Sequence, residues 1–263
     1  MADSLALLQA ASVLVVALLW PLLRISGMLL VLPAISGAYV PIQLRVVLAV
    51  ALSLVALPYA QPPGGIEFFT LGAVPIMALE LGFGAAMGFA LKLVLDAVAL
   101  GGQSIALSMG LGFAIFIDSA RGINVPVVSQ FLMLLTTLLF LAFDGHISAI
   151  ALLANSFTAV PIGGTPDIGA IAGGLLTLSA IVFAGAVQVA LPAVASLAIV
   201  NIAFGVMSRA APTLNLFAVG FPVSLLFGIL ALMLTLDGFS SVVSRLVEQT
   251  LDFAASMASG RLP

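Results

Sequence analysis

The chain is poor in the residues that carry most protein chemistry. It has no cysteine, one histidine, and only 6% charged residues in 263. Without cysteine it forms no disulfide and no thiolate metal site. Soluble domains carry about 25% charged residues, so these few charges could not cover a soluble particle of this size. The net charge of −3 is too small to indicate nucleic acid or anionic lipid headgroups as the main partner.

Catalytic motifs are missing as well. The sequence contains no HExxH, no GxSxG and no phosphate-binding glycine loop with its lysine. The single histidine, His146, has Asp144 two residues away, off its helical face. A metal site needs more ligands than these two residues supply. We therefore predict a protein that is not an enzyme and that holds no metal or cofactor.

Apolar sequence is abundant. Hydrophobic residues make up 63% of the chain, and the mean hydropathy is +1.36. Uncharged runs cover 4–23, 46–66, 122–143, 145–166 and 210–236. A helix that spans a bilayer needs about 20 apolar residues, and each run is long enough for one crossing. No run alternates like a barrel strand, so the predicted class is an all-α, multi-pass integral membrane protein.

One uncharged run, 168–208, has 41 residues and is too long for one simple span. As a straight helix it would measure roughly 60 Å, twice the thickness of a bilayer core. Two interpretations stay open from the residues alone. Either the run folds back as a hairpin near Pro192, or part of it stands outside the lipid inside a protein assembly.

Proline and glycine clusters divide the chain into helices. Turns are predicted at 57–67 and 160–167, with shorter breaks at 36–41 and 208–215. The helices are predicted near 4–32, 41–58, 68–109, 123–157 (broken near 144–146), 168–209 and 214–258.

Four polar residues lie within apolar segments, namely Glu80, Lys92, Asp96 and Gln103. A charge that faces lipid at mid-bilayer costs about 2.5–3.5 kcal/mol on insertion scales. Lys92 and Asp96 stand four residues apart, so on a helix they can pair. The favoured interpretation is an internal ion pair or a wet helix face; an ion or proton path and an inter-subunit contact are the alternatives.

The segment 110–126, GLGFAIFIDSARGINVP, places two scarce charges between apolar residues. Asp118 and Arg121 are three residues apart and can close a turn by pairing. Gly110, Gly112 and Gly122 allow the backbone to bend, and Pro126 suits the first turn of the next helix. Taken alone, the segment is an ordinary interhelical turn with buried aromatic residues.

Four stretches in order resemble the FliR family of flagellar export-gate membrane proteins. They are WPLLRISGMLLVLPAISGAYVPIQLRVVLA (20–49), GGQSIALSMGLGFAIFIDSARGINVPVVSQFL (101–132), DGHISAIALLANSFTAVP (144–161) and NIAFGVMSRAAPTLNLFAVGFPVSLLFGI (201–229). The resemblance covers nearly the whole chain, which is treated as one domain, 1–263. The injectisome counterpart, the SctT family of type III secretion, shares this architecture and is the nearest alternative.

The resemblance implies a structural subunit of a helical, hetero-oligomeric gate built from helical hairpins and long broken helices. FliP and FliQ join it in the inner membrane at the centre of the flagellar basal body, and FlhB docks on the cytoplasmic side. Unfolded export substrates pass through the channel. A small-solute secondary transporter is a more remote alternative, since broken helices and an embedded Glu80 suit one; against it, no inverted repeat is convincing.

The resemblance also assigns roles to residues. In the family, the central loop projects into the pore and helps to plug it, which hydrophobic side chains can do by excluding water and ions. The implied apolar seal consists of Met109, Phe113, Ile115, Phe116 and Ile117. Residues implied to pack helices and contact neighbouring subunits are Arg24, Pro33, Arg209, Pro212, Asn215, Gly220 and Pro222.

Overall fold

A computed structural model describes residues 2–33, 35–37, 40–62, 68–112, 126–210 and 216–260. This part of the chain contains seven α-helices and no β-strand. They are α1 (Ala2–Val31), α2 (Ile42–Ala56), α3 (Ala73–Ser108), α4 (Val127–Ala142), α5 (Gly145–Ala159), α6 (Ile168–Ala210) and α7 (Leu216–Ala258). The predicted all-α membrane class is confirmed.

Helix boundaries follow the proline and glycine signals. Pro41 and Pro126 occupy the N-cap positions of α2 and α4. The third helix begins at Ala73, five residues later than predicted, so that Pro75 falls in its first turn, where no amide hydrogen is needed. The predicted break near 144–146 is present: α4 and α5 meet at an angle of 62°, and Asp144 there adopts a left-handed conformation with φ 55°.

The long uncharged run is one helix. α6 contains 43 residues and continues through Pro192, so the hairpin interpretation was wrong. Proline removes one helical hydrogen bond without forcing the chain to reverse. At 1.5 Å per residue, α6 is about 65 Å long, more than twice the hydrocarbon core of a bilayer.

The chain divides into two compact units. The first consists of Met1–Lys92, Asp144–Leu178 and Gln249–Pro263, and its core contains Trp20, Met28, Leu91 and Phe157, each at most 2% exposed. A smaller cluster of the same unit contains Phe83, Met87 and Met257. Within the described ranges, four helices, or up to five with the bent α4–α5 pair counted as one span, are long and apolar enough to cross a membrane.

The second unit consists of Leu93–Phe143 and Ser179–Glu248. Small residues let its helices approach closely. A Cβ atom on Gly102 would lie 2.7 Å from the Cα of Ser129, and one on Gly185 would lie 3.1 Å from side-chain atoms of Ala97 and Leu246. Ser129 also donates a hydrogen bond from its hydroxyl to the carbonyl of Ala99, at 3.2 Å. Close approach of this kind is how helices associate in lipid.

Candidate functional site

A buried ion pair lies at the centre of the first unit. Arg24 of α1 is 1% exposed and Glu80 of α3 is 4% exposed. The Arg24 Nε donates to Glu80 Oε2 at 2.7 Å. The other carboxylate oxygen, Oε1, accepts a hydrogen bond from the amide of Gly163 at 3.3 Å. A charge pair withdrawn this far from solvent persists because its remaining hydrogen-bonding groups are also satisfied.

The same guanidinium caps the C-terminus of α5. Its Nη1 donates to the carbonyl and the hydroxyl of Ser156 at 2.9 and 3.1 Å, and its Nη2 donates to the carbonyl of Val160 at 2.9 Å. The last carbonyls of a helix have no partners within the helix and carry partial negative charge. Arg24 therefore links α1, α3 and the end of α5 through one planar group.

Aromatic rings cover this guanidinium. The Cζ atom of Arg24 lies 4.9 Å from the ring centroid of Phe83 and 4.6 Å from that of Phe157. Arginine stacks on aromatic faces in this way because its delocalised charge is attracted to the electron-rich ring. The rings exclude water from the ion pair, and the arrangement is a closed structural cluster.

Glycines on α1 and α3 make the cluster possible. A Cβ atom on Gly84 would overlap the carbonyl of Arg24, and one on Gly27 would overlap the carbonyl of Leu81. A Cβ on Gly88 would lie 2.6 Å from the carbonyl of Met28. The backbones of α1 and α3 thus touch over about two helical turns, which brings Arg24 within reach of Glu80. Gly84 and Gly88 stand four residues apart in the sequence GAAMG, a spacing typical of close helix packing in lipid.

In the second unit, the end of α3 is seated on α7. Met109 is 2% exposed, and a Cβ atom on Gly228 would lie 2.7 Å from its Cε and 2.9 Å from its Sδ. Gly110 follows with φ 82° and lies against the ring of Phe221. Gly112 packs against the side chain of Leu107. Met109, Gly110, Phe221 and Gly228 form what we term the α3 anchor.

This contact gives Met109 a packing partner within the chain. The resemblance assigned Met109 to the apolar seal of the pore, but its side chain is buried against Gly228 of the same chain. Met109 therefore has a packing role in the α3 anchor; that it also belongs to the seal stays a prediction. The rest of the assigned seal and the predicted loop-stabilising residues Phe113, Ile115, Phe116, Ile117, Asp118, Arg121 and Gly122 lie outside the described residues.

The other embedded polar residues differ from Glu80. Gln103 of α3 is exposed, while Lys92 and Asp96 are partly exposed. Neither Lys92 nor Asp96 lacks an interaction partner; that they pair with each other stays a prediction. Among the residues that the structure describes, no group of three metal-ligating side chains comes together.

The predicted packing residues separate into interior and surface positions. Arg24 was expected to contact a neighbouring subunit, but its contacts are intramolecular and its side chain is inaccessible. Pro33 is also buried. Arg209 and Pro222 are exposed and Gly220 is half exposed, so these three remain available to neighbours. Pro212 and Asn215 lie outside the described residues.

Sequence reasoning missed the partners of the ion pair. Arg24 and Glu80 are separated by 56 residues, and no short-range spacing connects them. Ser156, Val160 and Gly163 contribute mainly backbone groups, which a sequence does not mark. The sequence signal for this pair is the presence of two opposite charges in separate apolar segments, because each buried charge requires a counter-charge.

The helical architecture and the buried Arg24–Glu80 cluster define the class of protein: a multi-pass, all-α membrane protein with a charge pair inside its fold. A model of the bacterial export proteins, family 1, matches residues 15–250. The chain belongs to this family, among its FliR members.

Curated relatives support this assignment. The flagellar biosynthetic protein FliR of Pectobacterium carotovorum subsp. carotovorum is 33% identical over 238 residues, which are 90% of this chain and 91% of that protein. The FliR protein of Escherichia coli K12 is 34% identical over 210 residues, 80% of each chain. That of Aquifex aeolicus VF5 is 31% identical over 229 residues, 84% of this chain and 85% of that protein. None of the three is named as an enzyme.

The chain is therefore a multi-pass inner-membrane component of the flagellar export apparatus. The prediction of a flagellar export-family membrane protein is confirmed.

Proposed function

We propose that this chain is a structural subunit of the flagellar export gate, where it joins FliP and FliQ to form the channel through which unfolded flagellar proteins leave the cytoplasm. FlhB docks on the cytoplasmic side of this gate. The chain contributes shape and an apolar barrier to the channel, and no chemical step.

The observation that carries the proposal is the exposure of α6. Only 22% of its most apolar stretch is buried within the chain, against 56% for α3. Large apolar side chains are exposed from Ile168, at 60%, to Met207, at 47%. These two residues are separated by about 58 Å along the helix, while a bilayer core is about 30 Å thick. Lipid covers only about half of this length, which supports cover of the rest by neighbouring protein subunits.

The identity of those subunits comes from the family resemblance. FliP and FliQ are the membrane proteins with which FliR proteins form the gate, and helices from them are suited to cover an apolar surface of this length. The three relatives reported above are all flagellar proteins, which favours use in the flagellum over use in an injectisome.

The segment that follows the α3 anchor is the proposed plug. Phe113, Ile115, Phe116 and Ile117 form its apolar seal, with Asp118 and Arg121 closing the turn. The α3 anchor supports this proposal, because Met109 and Gly110 fix the point at which the chain leaves α3.

Two experiments test the proposed function. Chromosomal deletion of the gene should abolish filament assembly and motility, and an affinity-tagged copy of this chain should restore both and retain FliP and FliQ in mild detergent. A flagellated deletion strain with a defect in uptake of a small solute would instead support a transporter.

The plug is tested on the assembled gate. Deletion of residues 110–122 should make cells that express the complete gate leak ions, provided that the shortened chain still co-purifies with FliP and FliQ. Conductance equal to that of the intact gate would refute the plug.

A further inference from the structure

A pocket opens beside the buried Arg24–Glu80 pair, within the first unit. Its volume is about 350 Å³, and its lining includes Phe83, Val160, Thr165, Asp167, Met257 and Gly260. We term it the Asp167 pocket. The turn between α5 and α6, the start of α6 and the end of α7 all contribute to it, so an occupant would touch all three.

Part of the lining consists of groups that contact Arg24. The ring of Phe83 covers the guanidinium at 4.9 Å, and the carbonyl of Val160 accepts a hydrogen bond from its Nη2 at 2.9 Å. Met257 packs with Phe83 in the same apolar cluster and is 1% exposed. Water in the pocket would therefore lie one residue away from a buried charge pair. An apolar side chain in the pocket would keep that water out.

The mouth of the pocket is acidic. Among the described residues that line it, Asp167 alone carries a charge. Its Oδ1 accepts a hydrogen bond from the amide of Ala170 at 2.9 Å and so caps the start of α6. The carboxylate is exposed, and its second oxygen, Oδ2, can accept a bond from a cation. The pocket thus suits a basic residue next to an apolar one.

The chain itself supplies this combination at the rim of the pocket. Gly260 ends α7 with φ 65°, and its amide donates to the carbonyl of Met257 at 3.0 Å. A Cβ atom on Gly260 would lie 3.8 Å from the side chain of Val160, so the chain passes the pocket as it leaves α7. The next residues are Arg261 and Leu262, which lie outside the described residues.

The other cations of the first unit are already engaged. Arg24 pairs with Glu80, Arg45 donates to a backbone carbonyl of the preceding turn, and Lys92 has a partner. Arg261 is the remaining cation of this unit. A short tether also gives a segment an effective concentration in the millimolar range, so Arg261 is favoured over a basic residue of a separate chain.

We propose that Arg261 and Leu262 occupy the Asp167 pocket. The Arg261 guanidinium pairs with the Asp167 carboxylate, and the Leu262 side chain lies between Phe83 and Met257. This contact fastens the end of α7 to the turn that begins α6 and shields the buried ion pair from water. The inference concerns the first unit itself and does not depend on the proposed function.

Disulfide cross-linking tests the contact, because the chain has no cysteine of its own. The variant Thr165→Cys/Leu262→Cys places one thiol on an exposed lining residue and one in the occupant. In native membranes a mild oxidant should close an intramolecular disulfide about tenfold faster than in Thr177→Cys/Leu262→Cys. Thr177 is the matched control, since it is exposed on α6 but lies about 14 Å along the helix from Ile168.

The product identifies the occupant. An intramolecular disulfide protects both cysteines from a maleimide mass tag, whereas a bond to another chain gives a larger band on a non-reducing gel. Protection at the expected rate would support the inference. A rate equal to that of the control pair would overturn it, as would a product formed mainly with another chain.

A charge variant tests the ion pair. Asp167→Asn removes the charge but keeps the cap of α6, because asparagine caps helices as well as aspartate does. Added to the Thr165→Cys/Leu262→Cys variant, it should slow cross-linking by about 1.5- to 5-fold, the range for one exposed ion pair. Asp252→Asn is the control, because Asp252 is exposed on α7 outside the lining. An equal rate with and without Asp167→Asn would refute the contact between Asp167 and Arg261.

Discussion

The buried Arg24–Glu80 pair predicts that substituting both residues destabilises the protein less than substituting Arg24 alone. Glu80→Gln leaves the buried Arg24 charge without a counter-charge, and Arg24→Met leaves the Glu80 carboxylate with only the Gly163 amide. Breaking a buried pair on one side costs about 3–5 kcal/mol in the free energy of unfolding. Each single variant should lose this amount.

The double variant Arg24→Met/Glu80→Gln carries no buried charge. It still loses the cap on α5, but the carbonyl of Ser156 keeps its bond from the amide of Val160 at 2.9 Å. The carbonyl of Val160 is then the main group without a partner, at a cost of about 1–3 kcal/mol. The double variant should therefore be more stable than Arg24→Met alone.

Trp20 provides the assay. It is the only tryptophan, is 1% exposed, and belongs to the core of the same unit. Its fluorescence emission should shift to longer wavelength when the unit unfolds in SDS added to the chain in mild detergent. If the free energy of unfolding lost in the double variant equals the sum of the losses in the two single variants, the energetic coupling of Arg24 and Glu80 is refuted. A cost below about 1 kcal/mol for Glu80→Gln would show that the pair behaves as a solvated surface pair.

Two further predictions concern glycine contacts. Gly84→Ala should destabilise the first unit by about 1–3 kcal/mol in the same assay, because its Cβ overlaps the Arg24 carbonyl; Gly82→Ala, which meets no atom within 4 Å on the same helix, should change stability by less than about 1 kcal/mol. Equal effects would remove the close-contact argument. Gly228→Val should displace Met109 and make the assembled gate leak ions. The double variant Gly228→Val/Met109→Ala should restore the barrier, because alanine leaves room for the valine. If the double variant leaks as much as Gly228→Val, the contact between Met109 and Gly228 does not position the proposed plug.

The sequence carried most of the helical architecture, because the signals that determine it are local. Runs without charge, prolines at 41 and 126, and the polar break at Asp144 each act over a few residues. The main uncertainty was the run 168–208, where Pro192 was compatible with either a hairpin or one long helix. Local sequence cannot decide between these, since proline is tolerated inside an apolar helix when nearby groups compensate for the missing bond.

The site was predictable only in part, because its contacts are long-range. Glu80 was predicted to be a charge within an apolar segment and Arg24 a packing residue, but their pairing depends on how closely α1 approaches α3, which Gly84 permits. Met109 was assigned to the seal from its place in a motif. Its burial depends on Gly228, 119 positions later, and nothing in the motif indicates that partner.

The two longest helices, α6 and α7, have 43 residues each but differ in where their charged residues lie. In α7 the uncharged part ends at residue 236, and Asp237, Arg245 and Glu248 then follow, all exposed. Its apolar part, 216–236, has the length of one bilayer crossing, and the charged part suits an aqueous or interfacial environment. α6 has the same number of residues but no charge before Arg209. A bilayer core of about 30 Å is too thin to cover α6 along its whole length, and we propose that neighbouring gate subunits cover the apolar surface that remains.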